Sequence, residues 1–376
     1  MTLYFMNGKC IAATLLILVL TFVHCRKSHR QPKDALSKSQ KELSTVISGG
    51  TVDTVVAPKL LSLELNEIVA AYQKGTARAI DRSFQKKLDS ITLLLSTTLL
   101  METDGRKIVD AITDCIFNQW GITFNNDRND VRFLFPSHVV REKQGSCVGM
   151  SLLYLLFAEK LGMPIYGVLA PGHMFVRYDN GKESINIETL RTGECMSAQW
   201  YREKYSIEDT LLYSLRNLSV AEVLAVVHYN MGTIQLNDKK FSSAERSLER
   251  AVTLFPDFIE AQGNLALVYD ATGKSEKALE RLLTIRNRHP SFKNIDRNIG
   301  PLQIKCGKYS EALETYGSLV KKSAPDPELY YGYAVALHRT GNLQGAIDAL
   351  KKTLALRPGY REASELLAAL SAGSRE

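Results

Sequence analysis

A spacing of 34 residues runs through the carboxyl-terminal part of this 376-residue chain and constrains its architecture more than any other feature. Gly273, Gly307 and Gly341 are separated by it, as are Ala244, Ala278, Ala312 and Ala346. Pro256 and Pro290 keep the same step, and Pro358 lies two steps beyond Pro290. Each unit also places a small residue early: Gly232, Ala266, Gly300 and Ala334. Such self-similarity marks units that stack on their neighbours rather than fold around one shared centre. Small side chains allow paired elements to approach closely, glycine permits a tight turn, and proline ends a helix.

These residues at this period resemble the tetratricopeptide repeat, a helix-turn-helix unit. The resemblance implies units at 225–258, 259–292, 293–326 and 327–360 with a capping helix at 361–370, so that 225–370 forms an all-α solenoid. It also implies a concave groove that holds a protein or peptide partner. The third unit departs most from the pattern: Gln303 stands where Tyr269 stands one unit earlier, and Ala324-Pro325 shifts the stop by one residue. His228, His289 and His338 share no ligand spacing and read as surface or helix-end residues. Cys306, beside Gly307, reads as a packing residue.

The formal net charge of +7 is not spread over the folded part. Residues 26–46 hold Arg26, Lys27, Arg30, Lys33, Lys38 and Lys41 against Asp34 and Glu42, and Lys9 adds one more cation. That placement argues against a nucleic-acid partner, which needs a basic surface on the folded part.

Before the basic stretch lies an apolar run at 11–23, interrupted only by Thr14 and Thr21. Its length is that of a signal-peptide core and short of the ~20 residues of a membrane-crossing helix. Cys25 follows at once, in an arrangement that resembles the lipobox of bacterial lipoproteins. The resemblance implies a signal over 1–25 with lipidation at Cys25, a basic tether over 26–59, and a bacterial cell-envelope location. An uncleaved membrane anchor and secretion are the alternatives. The departures are His24, where a small residue is usual, and three cations on the side to be translocated.

Residues 60–130 read mainly as helices, with dense apolar positions at 60–72 and 91–101 and with Ile108, Ile112, Cys115 and Ile116 at helical spacing. Gln144-Gly145-Ser146-Cys147 precedes an apolar helix over 148–161, stopped by Gly162-Met163-Pro164. Strands follow at 165–169, 173–178 and 184–188. If Asn180-Gly181 is a two-residue turn, Val176 faces Ile185 and Met174 faces Ile187. The opposite face then pairs Phe175 with Asn186 and His173 with Glu188. A one-residue slip would scatter the apolar set.

That register sets a carboxylate beside an imidazole, while Cys147 lies at a helix amino terminus, where amides and the helix dipole favour a thiolate. Nucleophile, base and orienting acid are thereby all present. Cys147 would attack a carbonyl, His173 would pair with the thiolate and protonate the leaving amine, and Glu188 would fix the imidazole. The Cys147 amide and the Gln144 side chain are the oxyanion candidates. Arg177, on the His173 face, could steer an acidic substrate or compete for Glu188. Cys115 and Cys195 read as packing or peripheral thiols, and His138 as structural.

The blocks Gly145-Ser146-Cys147, Ser151–Leu155, Ala158–Pro164 and Ala170–Tyr178 resemble the SirB family of transglutaminase-like domains, of the papain-like cysteine fold. The resemblance covers roughly 60–210 and implies an α+β papain/transglutaminase-like domain at 60–215 preceding the repeats. It carries nucleophile and base onto Cys147 and His173, and an acid, commonly Asp, onto Glu188. Two functions follow: a thiol-dependent acyl transfer or amide hydrolysis served by the repeats, or a catalytically inactive scaffold for protein–protein interaction. No P-loop, GxGxxG or His/Cys metal spacing occurs, so neither cofactor nor metal is expected.

Overall fold

The computed structural model describes residues 61–72, 82–127, 129–207, 213–290, 292 and 295–373. The apolar run at 11–23, the lipidation candidate Cys25 and the basic tether lie outside the described residues. Among the described residues, no helix is long and apolar enough to cross a membrane.

The amino-terminal part is a mixed α/β domain. It opens with helices α1 (Leu61–Tyr72), α2 (Arg82–Leu99) and α3 (Gly105–Thr113), the last continuing into a π-helical turn at Asp114–Gln119. A short parallel pair joins β1 (Thr123–Phe124) to β2 (Gln144–Gly145) across α4 (Pro136–Glu142). Next comes α5 (Cys147–Leu161), buried at every residue from Val148 to Ala158. A helix apolar on all sides must be central, and α5 has α1, α2 and α4 packed around it. Gly162, at φ +66°, closes it in the left-handed conformation.

An antiparallel sheet of β3 (Ile165–Ala170), β4 (His173–Asp179), β5 (Ser184–Glu188) and β6 (Glu194–Met196) covers another side of α5. The β4–β5 register corrects the sequence reading by two residues: Val176 pairs with Ile187, Tyr178 with Ile185 and Asp179 with Ser184. The expected two-residue turn gives way to a four-residue loop. Asn180 Oδ1 accepts from the amides of Lys182 and Glu183 at 2.9 and 2.8 Å, and Asp179 Oδ1 accepts from that of Gly181 at 3.0 Å. Side-chain acceptors thus stabilise the wider turn. A slip of two keeps every side chain on its face. His173 and Glu188 therefore still share a face, as diagonal rather than direct neighbours.

After α6 (Ala198–Lys204) the chain becomes a helical array: α7 (Val220–Asn237), α8 (Phe241–Leu254), α9 (Ile259–Ala271), α10 (Ser275–Arg288), α11 (Asp296–Lys305), α12 (Tyr309–Lys322), α13 (Pro327–Arg339), α14 (Leu343–Leu356) and α15 (Arg361–Gly373). Ser219 starts α7 through a capping box with Glu222, five residues ahead of the unit boundary read from the period. Within the units the phase of the period has a physical cause. Gly273, Gly307 and Gly341 hold φ of +79°, +72° and +86° at the inter-helix turns. One step earlier the same conformation falls to Lys239, at φ +58°. The early small residues mark close helix contacts: a Cβ on Gly300 would lie 2.8 Å from the Tyr316 ring.

Candidate active site

The loop that presents Cys147 is fixed by one carbonyl. The Phe133 oxygen accepts from both the amide and the hydroxyl of Ser146, at 3.1 and 3.0 Å. Ser146 also caps α5, its Oγ accepting from the Gly149 amide at 3.2 Å. The carbonyl comes this close because residue 149 lacks a side chain: a Cβ there would sit 2.1 Å from the Phe133 oxygen. Cys147 consequently occupies the first turn of α5, half-buried.

On the sheet, His173 and Glu188 are 5% and 1% exposed and meet through Nε2 and Oε2 at 2.8 Å. The second carboxylate oxygen, Oε1, accepts from the Leu190 amide at 2.8 Å, so Glu188 is held at both oxygens. His173 is also coupled electrostatically to the Cys147 thiol, with which it lines one cavity. With Nε2 engaged by Glu188, Nδ1 is the ring nitrogen left for the sulfur. Tyr205 stacks on the imidazole at 4.9 Å between ring centres and 10° between planes. Phe175 and Tyr201 extend the stack behind it. The sequence reading put Phe175 on the His173 face but missed Tyr201 and Tyr205, although they are four residues apart, the spacing of one helix face.

The electrostatics follow from these contacts. Burial pushes the Cys147 thiol up. The hydrogen bond and charge of His173, with the Met174 and Val148 amides, outweigh it, so the net direction is down. Burial likewise disfavours the charged imidazole, yet the bonds to Cys147 and Glu188 carry His173 up to about 9. The arrangement therefore favours a thiolate–imidazolium pair. All four described cysteines are free. Burial raises Cys115 to about 11 and also raises Cys195 and Cys306, so Cys147 alone among the four is lowered.

Cys147 and His173 open into a cavity of about 440 Å³, with Glu188 behind the imidazole. Gln144 is not brought to it. That side chain is exposed, and its Oε1 accepts from Asn125 Nδ2 at 2.6 Å. Asn125 is the residue that lines the cavity. Arg177 leaves Glu188 alone: it donates to Asn186 Oδ1 at 2.6 Å, the Leu215 carbonyl at 3.0 Å and Asn217 Oδ1 at 3.2 Å, tying the sheet to the segment before α7. Burial lowers His138, which is not among the cavity residues.

Residues 82–225 match the transglutaminase-like superfamily, and 235–296 and 298–361 match tetratricopeptide repeat models. The chain carries a transglutaminase-like domain followed by tetratricopeptide repeats. A UPF0162 protein of Xylella fastidiosa is 24% identical over 201 residues, covering 51% of this chain and 72% of that protein. A PEX5-related protein of Mus musculus is 28% identical over 158 residues, 39% of this chain and 28% of its own length. Among solved structures, MamA from Desulfovibrio magneticus RS-1 is similar to 40% of this chain and 85% of its own, at 18% identity and a TM-score of 0.39.

Proposed function

We propose that the transglutaminase-like domain performs thiol-dependent acyl transfer or amide hydrolysis on a polypeptide, and that the repeats hold the protein or peptide partner. The observation that carries the reading is the conjunction of the 2.8 Å His173–Glu188 contact with a thiol that lines the same cavity as that imidazole and is lowered by it. The Cys147 thiolate attacks a carbonyl carbon, and the resulting oxyanion falls to the amino-terminal amides of α5. Asn125, which lines the cavity and donates to Gln144 Oε1, is the side-chain amide nearest this role. The His173 imidazolium gives its proton to the departing amine, leaving a thioester on Cys147. Neutral His173 then takes a proton from water or a second amine, which attacks the thioester and regenerates the thiolate. Glu188 stabilises the imidazolium through both halves.

Incubating the full chain with a peptide library and reading released ammonia, cleavage or cross-links tests the reading. Activity abolished in Cys147→Ala supports it. An ordinary, unreactive Cys147 leaves the scaffold function. For location we propose lipid attachment at Cys25 in a bacterial cell envelope, supported by the apolar run at 11–23 directly before it. Metabolic lipid labelling should disappear in Cys25→Ser, and labelling that persists refutes the attachment site.

A further inference from the structure

We infer that the first helical repeat is one wall of the thiol cavity and selects its substrate, with Asn230 and Asn237 as specificity-determining residues for an extended polypeptide segment without negative charge. This rests on the thiol reading above and deepens it. The cavity that opens on Cys147 and His173 is lined along one side by Val226, Asn230, Thr233 and Asn237. Their spacing of four, three and four is that of a single stripe along α7. The wall is therefore a helix face of the repeat array, set opposite chemistry that belongs to the preceding domain.

The chemistry of the stripe indicates what it receives. Thr233 is already committed, its hydroxyl donating to the Tyr229 carbonyl and accepting from Asn264 Nδ2, both at 2.8 Å. Asn230 gives its Nδ2 to the Val226 carbonyl at 2.8 Å, and Asn237 gives its Nδ2 to Asn129 Oδ1 at 3.2 Å. Each asparagine thus keeps its carbonyl oxygen as an acceptor. Two acceptors about two helical turns apart, with Val226 and Phe258 as apolar neighbours in the lining, suit the N–H groups and small side chains of an extended peptide. Among the described residues the lining holds no lysine or arginine but does hold Asp127, Asp130 and Glu260, so it disfavours an anionic segment. A volume of about 440 Å³ lies within the range of roughly 300–1,000 Å³ typical of ligand pockets.

The test compares two electrophiles on the full chain. Iodoacetamide reports the thiol alone. An acetylated, uncharged tripeptide chloromethyl ketone must also occupy the wall before the sulfur displaces chloride and forms the C–S bond. In Asn230→Leu, which removes the acceptor at nearly constant size, the tripeptide rate at Cys147 falls about tenfold while the iodoacetamide rate stays within about twofold. Asn237→Leu, on the exposed end of the stripe, gives the same split and serves if Asn230→Leu melts early. An unchanged ratio of the two rates in the folded variants overturns the inference while leaving the thiol reading intact. An unaltered protein in which iodoacetamide does not favour Cys147 over Cys195 removes the thiol reading and the inference with it.

Discussion

Replacing His173 by Ala isolates what the imidazole does for the sulfur. In the native site two influences oppose each other at Cys147: burial raises the thiol, and His173 lowers it by hydrogen bond and charge. The variant keeps the first and loses the second, so the thiol moves above its ordinary value. A thiol without a partner is about 3% ionised at pH 7, and less where burial raises it, so full ionisation in the native pair is worth about thirtyfold or more in thiolate. The weaker nucleophilicity of a low-pKa thiolate trims that advantage to about tenfold in rate. The assay is iodoacetamide labelling of the full chain followed by peptide mass spectrometry. Cys115 and Cys195 serve as references within the same molecule, both raised by burial. Cys147 should label first near about pH 6, and His173→Ala should remove the lead. Equal labelling of Cys147 and Cys195, or a rate indifferent to His173→Ala, refutes the ion-pair argument.

Three further outcomes follow from the same geometry. Cys147→Ala removes the bond and charge that the sulfur lends the imidazole and should bring His173 down from about 9, read by NMR of labelled histidine. A His173 titration unchanged in that variant contradicts the coupling. Gly149→Ala drives a Cβ to 2.1 Å from the Phe133 carbonyl and should cost about 2 kcal/mol or more by denaturant unfolding, whereas an unperturbed midpoint contradicts the close approach. Lys239→Gly relieves a positive φ of +58° and should stabilise the protein by about 1 kcal/mol; a loss of stability shows that the lysine side chain matters more than the backbone.

The repeats were the most legible part of the chain, because each helix pair answers to the same local demands: a left-handed turn at Gly273, Gly307 and Gly341, and a close contact at Gly300. The period did not foresee Lys239 in that conformation, since tertiary packing in one unit can impose what glycine does cheaply in the others. At the site, alternation along β4 and β5 identified the shared face of His173 and Glu188, and face assignment survives a two-residue slip. The register itself was misread because acceptors on Asp179 and Asn180 chose the loop, and turn chemistry of that kind competes with a simple Asn-Gly rule. Gln144 was placed by its nearness in sequence to Cys147, yet β2 directs it toward Asn125 and solvent. The contribution of α7 was beyond any linear reading. Nothing in a 34-residue pattern says which helix face lies against the domain that precedes it.

The direct test of the central claim is the protonation state of His173, read by NMR of the full chain with labelled histidine. The account predicts an imidazolium that persists through neutral pH and titrates at about 9, falling toward 6.5 in Glu188→Gln. A native His173 that titrates at or below 6.5 would mean that neither the sulfur nor the carboxylate holds its charge, and the account of the site would be wrong.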